Sequence, residues 1–293
     1  MALRSWLFVP GDSEKKQSKA ADTGADAIIL DLEDSVTPAN KARARELTLG
    51  WLQAQSTANG ASAQGRWVRI NALDSGMWRD DLSAVMAGAP DGIMLPKSAG
   101  PESVEQLSAE LAELERRHGL AEGSTRILPL VSETAAAAIT IPAYARAALP
   151  RLAGLTWGAE DLSAAIGATR KRGADGQWTD AYRFARTQTL LTAHACEVMA
   201  IDTLHADFAD EAGLRLAAEA ARADGFAGML AIHPAQVAVI NAAFTPSEAE
   251  LAEAQAIVAA FAANPDAGAL QIEGRMIDRP HLKLAQRLLG IGG

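Results

Sequence analysis

The feature that most constrains this chain is a repeated alternation. Eight short apolar runs each close on polar or charged residues, and helical stretches lie between them. In order they are SWLFVP, AIILD, RWVRIN, GIMLPK, ILPLV, LTW, VMAID and GMLAIHP. Short apolar runs bounded by turn formers read as buried strands, and strands alternating with helices read as a parallel sheet. Eight of them in 293 residues predict an α/β chain, a (β/α)8 TIM barrel, a class that commonly runs to about 250 residues. A doubly wound open sheet is the alternative. It would normally bring a Gly-rich phosphate turn, and no G-x-G-x-x-G occurs. After His233 the pattern changes to two helices, Pro234 to Ala243 and Pro246 to Ala263. A tail follows with glycine hinges at Gly268 and Gly274, then a short helix carrying Arg279, Lys283 and Arg287. This predicts a barrel over residues 1–243 and a C-terminal helical extension over 244–293, packed on its own surface or reaching a neighbouring subunit.

In a parallel barrel the chemistry gathers where strands end. The fifth run stops at Glu133 and the sixth at Glu160–Asp161, each followed by an Ala-rich helix. Either carboxylate alone reads as a helix N-terminal charge stabilised by the macrodipole. Two of them on adjacent strands repel unless a cation lies between, and one or two carboxylates, with water and substrate completing the shell, is the usual way magnesium is held. Glu133 and Asp161 are therefore the candidate metal ligands. The third run ends in Arg69 and Asn71. A fixed, always-protonated guanidinium there suits a carboxylate or an enolate oxygen. Asp31, Glu33 and Asp34 close the second run; they could orient other groups, take a ligand proton or pair with arginines. Lys15 and Lys19 share one face of a helix expected from Ser13 to Ala21, either a solvated face or a phosphate-binding patch. Lys41, Arg43 and Arg45 read as a solvated face, and SAQG, between Asn59 and Arg66, as a surface loop. Arg170 to Arg172 lie in a long loop, functional or simply solvated. His233 is expected to line a ligand rather than act as a base.

Composition sets the setting. The net charge of −9 argues against non-specific binding to nucleic acid or to an anionic membrane, so an anionic ligand must meet a local basic patch. A single cysteine, Cys196, excludes an internal disulfide framework and a multi-cysteine metal site, and its apolar surroundings predict a packing role. No apolar run reaches the ~18 residues of a membrane span, and the N-terminal run is too short for a signal peptide core. A soluble, cytoplasmic protein is the expectation.

The pieces LFVPGDSEKKQSKA, LDLEDSV, VRIN, LPK, SETAAA, GAEDL, AIHP and EGRMID, running in order from residue 7 to residue 278, make the chain resemble the citrate lyase beta subunit family with its malyl-CoA and citramalyl-CoA lyases. The resemblance implies a Mg2+-dependent carbon–carbon lyase acting on an acyl-CoA substrate and releasing a 2-oxo acid, built as a homotrimer or a multiple of three. It implies metal ligation by Glu133 and Asp161, with Glu160 beside them at the substrate, and contact of Arg69 with the carboxylate and the forming enolate. Phe8 and Lys19 would line the CoA side, Ile232 and His233 would complete that wall, and Asp278 would come from a neighbouring subunit as acid/base. Asp278 also precedes a helix start, where it reads equally as a cap. Ser13 stands where many malyl-CoA lyases carry arginine, and DSEKK is similar to the citramalyl-CoA lyase branch. The alternatives are a citrate lyase subunit acting on an acyl-carrier-protein thioester, a CoA-independent pyruvate aldolase, and a non-catalytic barrel that binds a partner.

Overall fold

The computed structural model describes residues 3–58 and 64–291; most of the stretch expected as a surface loop before Arg66 lies outside the described residues. Two compact units divide the chain, Met1–Phe244 and Thr245–Gly293.

The first unit contains β1 (Ser5–Pro10), α1 (Glu14–Gln17), β2 (Ala27–Asp31), α2 (Lys41–Ala58), β3 (Gly65–Arg69), α3 (Trp78–Val85), β4 (Gly92–Leu95) and α4 (Pro101–His118). It continues with β5 (Arg126–Pro129), α5 (Ala135–Thr140), β6 (Gly154–Thr156), α6 (Ala159–Ile166), α7 (Asp180–Ala195), β7 (Met199–Asp202), α8 (Glu211–Asp224), β8 (Gly228–Ala231) and α9 (Pro234–Phe244). The eight strands order as β5-β4-β3-β2-β1-β8-β7-β6. Parallel bridges from Ile127 to Leu152 and from Leu130 to Thr156 join the two ends of that order. The result is a nearly closed barrel ringed by helices.

The two-residue period of a strand sorts its side chains. Leu7, Val9, Ile28, Leu30, Val68 and Ile93 belong to one large buried cluster with apolar residues of the surrounding helices. Their alternates Trp6, Ala27, Ile29, Trp67, Met94, Leu128, Ile201 and Leu230 form a separate cluster that fills the barrel. Two indoles share that interior, Trp6 and Trp67, edge to face with centroids 5.0 Å apart. They fit because Gly92 lies opposite Trp67 in the ladder; a Cβ there would stand 2.2 Å from the indole. The same period carries Phe8, Asp31 and Arg69 to the C-terminal end of the barrel, above the apolar filling.

Local chemistry departs from the sequence expectation in two places. The helix expected from Ser13 to Ala21 ends at Gln17 and gives way to a 3-10 turn at Ala21–Thr23. The Gln17 carbonyl accepts from the Trp51 indole at 2.9 Å, and the Ser18 and Thr23 hydroxyls bond back to Lys15 and Ala20 carbonyls, so local bonds compete with the helix. Lys41 and Arg45 do not form a solvated face. The Lys41 ammonium donates to the Leu32 and Glu33 carbonyls and to Asn71 Oδ1 at 2.6 to 2.8 Å, and Arg45 pairs with buried Asp81 at 2.7 Å; Arg43 alone of the three is exposed. Cys196 is half-buried, and that burial pushes its thiol up.

The second unit comprises α10 (Glu248–Ala263), β9 (Ala269–Ile272), β10 (Arg275–Asp278) and α11 (Arg279–Leu288). Ser247 and Glu250 close α10 with reciprocal bonds. The strands form an antiparallel hairpin around Glu273–Gly274, absent from the sequence reading, which placed a glycine hinge there. Both turn residues have positive φ, 49° and 79°, the backbone that a tight two-residue hairpin demands. Ala254, Ile257, Phe261, Ile277 and Ala285 make this unit's own core. Among the described residues no helix is long and apolar enough to cross a membrane.

Candidate active site

A cavity of about 570 Å³ opens in the first unit. Its floor is set by register. Asp31 and Arg69 are cross-strand partners at the ends of β2 and β3, both on the inward side. The carboxylate takes two charge-assisted bonds from the guanidinium, from Nε and Nη2, each 2.7 Å long, the bidentate geometry that fixes an arginine best. Glu33 pairs with Nη1 at 3.0 Å, and the guanidinium lies 4.8 Å from the Phe8 ring centroid. Burial opposes the charge of Arg69, but Asp31, with Glu33 and Glu133 behind it, outweighs burial and raises its pKa. Burial alone would also raise Asp31, yet Arg69 holds it below the ordinary carboxylate range. Sequence reasoning named Arg69 and left three roles open for Asp31 and Glu33, of which pairing with an arginine is the one seen here.

Glu133 and Asp161 face the same cavity. Glu133 is buried at 4 % exposure and accepts the backbone N–H of Lys97. Burial, with the charge of Asp161 adding to it against that hydrogen bond, pushes its carboxyl up to about 8. Asp161, in the first turn of α6, keeps about a third of its side chain exposed. A buried carboxyl that resists ionisation next to a second carboxylate is what a hard dication stabilises. Two carboxylate ligands suit magnesium, with water and substrate in the remaining positions. Among the described residues no three His, Cys, Asp or Glu side chains converge as a metal cluster, so the donor set fits an open site rather than a closed cage.

The remaining wall is mixed. Lys15, Lys16 and Lys19 line one side, and none of the three has an ion-pair partner among the described residues. Ile232 and His233 line another. Their backbone N–H groups donate to Gln236 Oε1 at 2.8 and 3.2 Å, and the His233 ring stacks on Phe208 at 5.0 Å. Thr203 and Leu204, from the loop after β7, also line the cavity and were missed, since neither residue type carries a chemical signal. Glu160 lines it too but is engaged with Lys171 of the basic loop; in that loop Arg172 lies 3.7 Å from the Trp178 ring centroid. The fold thus brings every predicted site residue of the first unit around one cavity. Asp278 belongs to the second unit, where it caps α11, its carboxylate 2.6 Å from His281 Nδ1.

A parallel barrel with an arginine clamp and a carboxylate pair at its strand ends is an architecture suited to metal-assisted catalysis. A family model described as HpcH/HpaI aldolase/citrate lyase matches residues 4–234, and the chain belongs to that family. It is 37% identical to a citrate lyase subunit beta-like protein of Mycobacterium tuberculosis, over 98% of this chain and 95% of that protein. It is 33% identical to the mitochondrial citramalyl-CoA lyase of Rattus norvegicus, over 98% of this chain and 85% of that one. Among solved structures, protein CitE of Mycobacterium tuberculosis in complex with magnesium, acetoacetate and coenzyme A matches with a TM-score of 0.76 at 35% identity, covering 99% of this chain and 98% of that one.

Proposed function

We propose that this chain cleaves a carbon–carbon bond in a 3-carboxy-3-hydroxyacyl-CoA of the citramalyl-CoA or malyl-CoA type, giving acetyl-CoA and a 2-oxo acid. The observation that carries the reading is one cavity faced by the clamped Arg69, the Glu133–Asp161 pair and three lysines without ion-pair partners. Glu133 and Asp161 would hold Mg2+, which when bound supplies Lewis acidity and a template for the hydroxy-acid end of the substrate. Arg69, held by Asp31 and Glu33, would stabilise the electron pair that moves onto the thioester oxygen as the C2–C3 bond breaks. The hydroxyl gives up its proton and the enolate carbon gains one, so an acid/base group is required. That group would be Asp278 of a neighbouring copy, within a homotrimer or a multiple of three. Assay of C–C cleavage across a panel of hydroxyacyl-CoA thioesters tests this reading.

Two further expectations follow from the same walls. Lys15, Lys16 and Lys19 would meet the CoA phosphates. Replacing Lys15 and Lys19 with Gln should weaken CoA binding in calorimetry, and added salt should weaken it in the native protein because exposed charges are screened. A salt-independent affinity would remove the lysines from the phosphate site. For Asp278, an α11 cap loses stability and keeps turnover when changed to Ala. A shared acid/base group keeps stability and loses turnover. Mixed oligomers of Asp278→Ala and Glu133→Ala subunits should regain part of the activity that each lacks; verified mixed oligomers without recovery would refute the shared site.

A further inference from the structure

Lys97 follows β4 and touches both carboxylates of the candidate metal pair. Its backbone N–H donates to Glu133. Its ammonium pairs with Glu33 and lies 3.8 Å from Asp161 and 3.7 Å from Asp34. The residue is built into this place at a cost. It has φ of +50°, a left-handed backbone that a side chain disfavours. Neighbouring bonds hold the turn: Ser98 N donates to the Leu130 carbonyl at 3.2 Å, and Ser98 Oγ bonds the buried Tyr144 hydroxyl at 2.7 Å. Glu33 and Lys97 also line a separate cleft of about 370 Å³ with Lys41 and Asn71. From that cleft the ammonium reaches Asp161, which lines the main cavity.

Charge counting shows what the side chain does. Asp31, Glu33, Asp34, Glu133 and Asp161 gather around Arg69 and Lys97, with Lys41 on the side of Asp31, Glu33 and Asp34. Arg69 is bound to Asp31 on two nitrogens, which leaves Lys97 as the cation near Asp161. A fixed positive charge at that distance repels an incoming dication and competes for its ligand. We propose that Lys97 is a positioning residue that tunes divalent-ion affinity: its backbone fixes Glu133, and its ammonium acts as an internal counterion that the ion must outcompete at Asp161. The Glu33 link gives the residue a second role, since Glu33 also braces Arg69. The inference rests on the assignment of Glu133 and Asp161 as the ion's ligands.

The left-handed backbone supplies the test. Lys97→Gly keeps the N–H to Glu133, relieves the backbone and deletes the side chain with its ammonium, whereas Lys97→Arg keeps the charge. Mn2+ binding is measured by calorimetry without substrate in both variants, in the native protein and in Asp161→Asn. Lys97→Gly should bind Mn2+ more tightly, on the order of tenfold, the range over which groups behind metal ligands act; Lys97→Arg should stay near the native value. Turnover of Lys97→Gly should fall even at saturating metal, because Glu33 has lost its partner. Equal or weaker Mn2+ binding in Lys97→Gly, with binding abolished in Asp161→Asn, overturns the counterion role and leaves the metal site standing. Binding that survives Asp161→Asn overturns both.

Discussion

Glu133→Gln and Asp161→Asn should each lower turnover by about 10³-fold or more, the scale of several kcal/mol of transition-state stabilisation that a metal ion supplies. The fold should persist. Gln at 133 retains an oxygen for the Lys97 N–H and removes the group whose ionisation the site opposes. The sign can be worked through. The Glu133 carboxyl is raised from 4.5 to about 8, so with a chelator present the folded protein binds more protons than the unfolded chain between those values. Stability then falls as pH rises through that window. Thermal unfolding of Glu133→Gln in chelator should therefore show a shallower loss between pH 5 and 8 than the native protein (roughly the window of that shift), while turnover in magnesium stays depressed at every pH. A Glu133→Gln enzyme with near-native turnover in magnesium would remove this residue from the metal site.

Arg69→Lys should cost at least about 10²-fold in turnover, as when one preorganised transition-state donor is lost. Lysine keeps the charge but not the fork. It cannot reproduce the paired 2.7 Å bonds to Asp31 while also meeting Glu33 and facing the cavity. The loss should fall on kcat, with KM changed little, and far-UV circular dichroism should be native. A raised KM at unchanged kcat would make Arg69 a ground-state binding group instead.

The barrel is legible in the sequence because each strand carries its own punctuation. Apolar runs such as AIIL stop at Asp31, ILPLV stops before Glu133, and a helix begins shortly afterwards. The Glu133–Asp161 pair is legible for the same reason, since both residues follow closely on their strands, Glu133 just before α5 and Asp161 in the first turn of α6. The Asp31–Arg69 clamp is a different kind of fact. It depends on the register that sets residue 31 opposite residue 69, and no local pattern encodes a register. Lys41 illustrates the limit from the other side: a lysine at a helix start looks solvated, and only the tertiary fold shows three oxygens converging on its ammonium. Lys97 is hidden twice, by a left-handed backbone unusual for its residue type and by partners 36 to 64 residues away on either side. The hairpin of the second unit left one readable trace, Glu273–Gly274 between two short runs, but its strands are half-exposed and too short for alternation to stand out.

The central claim is metal-dependent carbon–carbon cleavage at the strand ends of this barrel. It is tested most directly by product analysis on citramalyl-CoA and malyl-CoA with purified protein, in magnesium and in chelator. The account predicts acetyl-CoA and a 2-oxo acid in equal amounts, pyruvate or glyoxylate according to the substrate, formed in magnesium and stopped by chelator. Free CoA released with the hydroxy acid intact, cleavage indifferent to chelator, or activity confined to a carrier-protein thioester would contradict it.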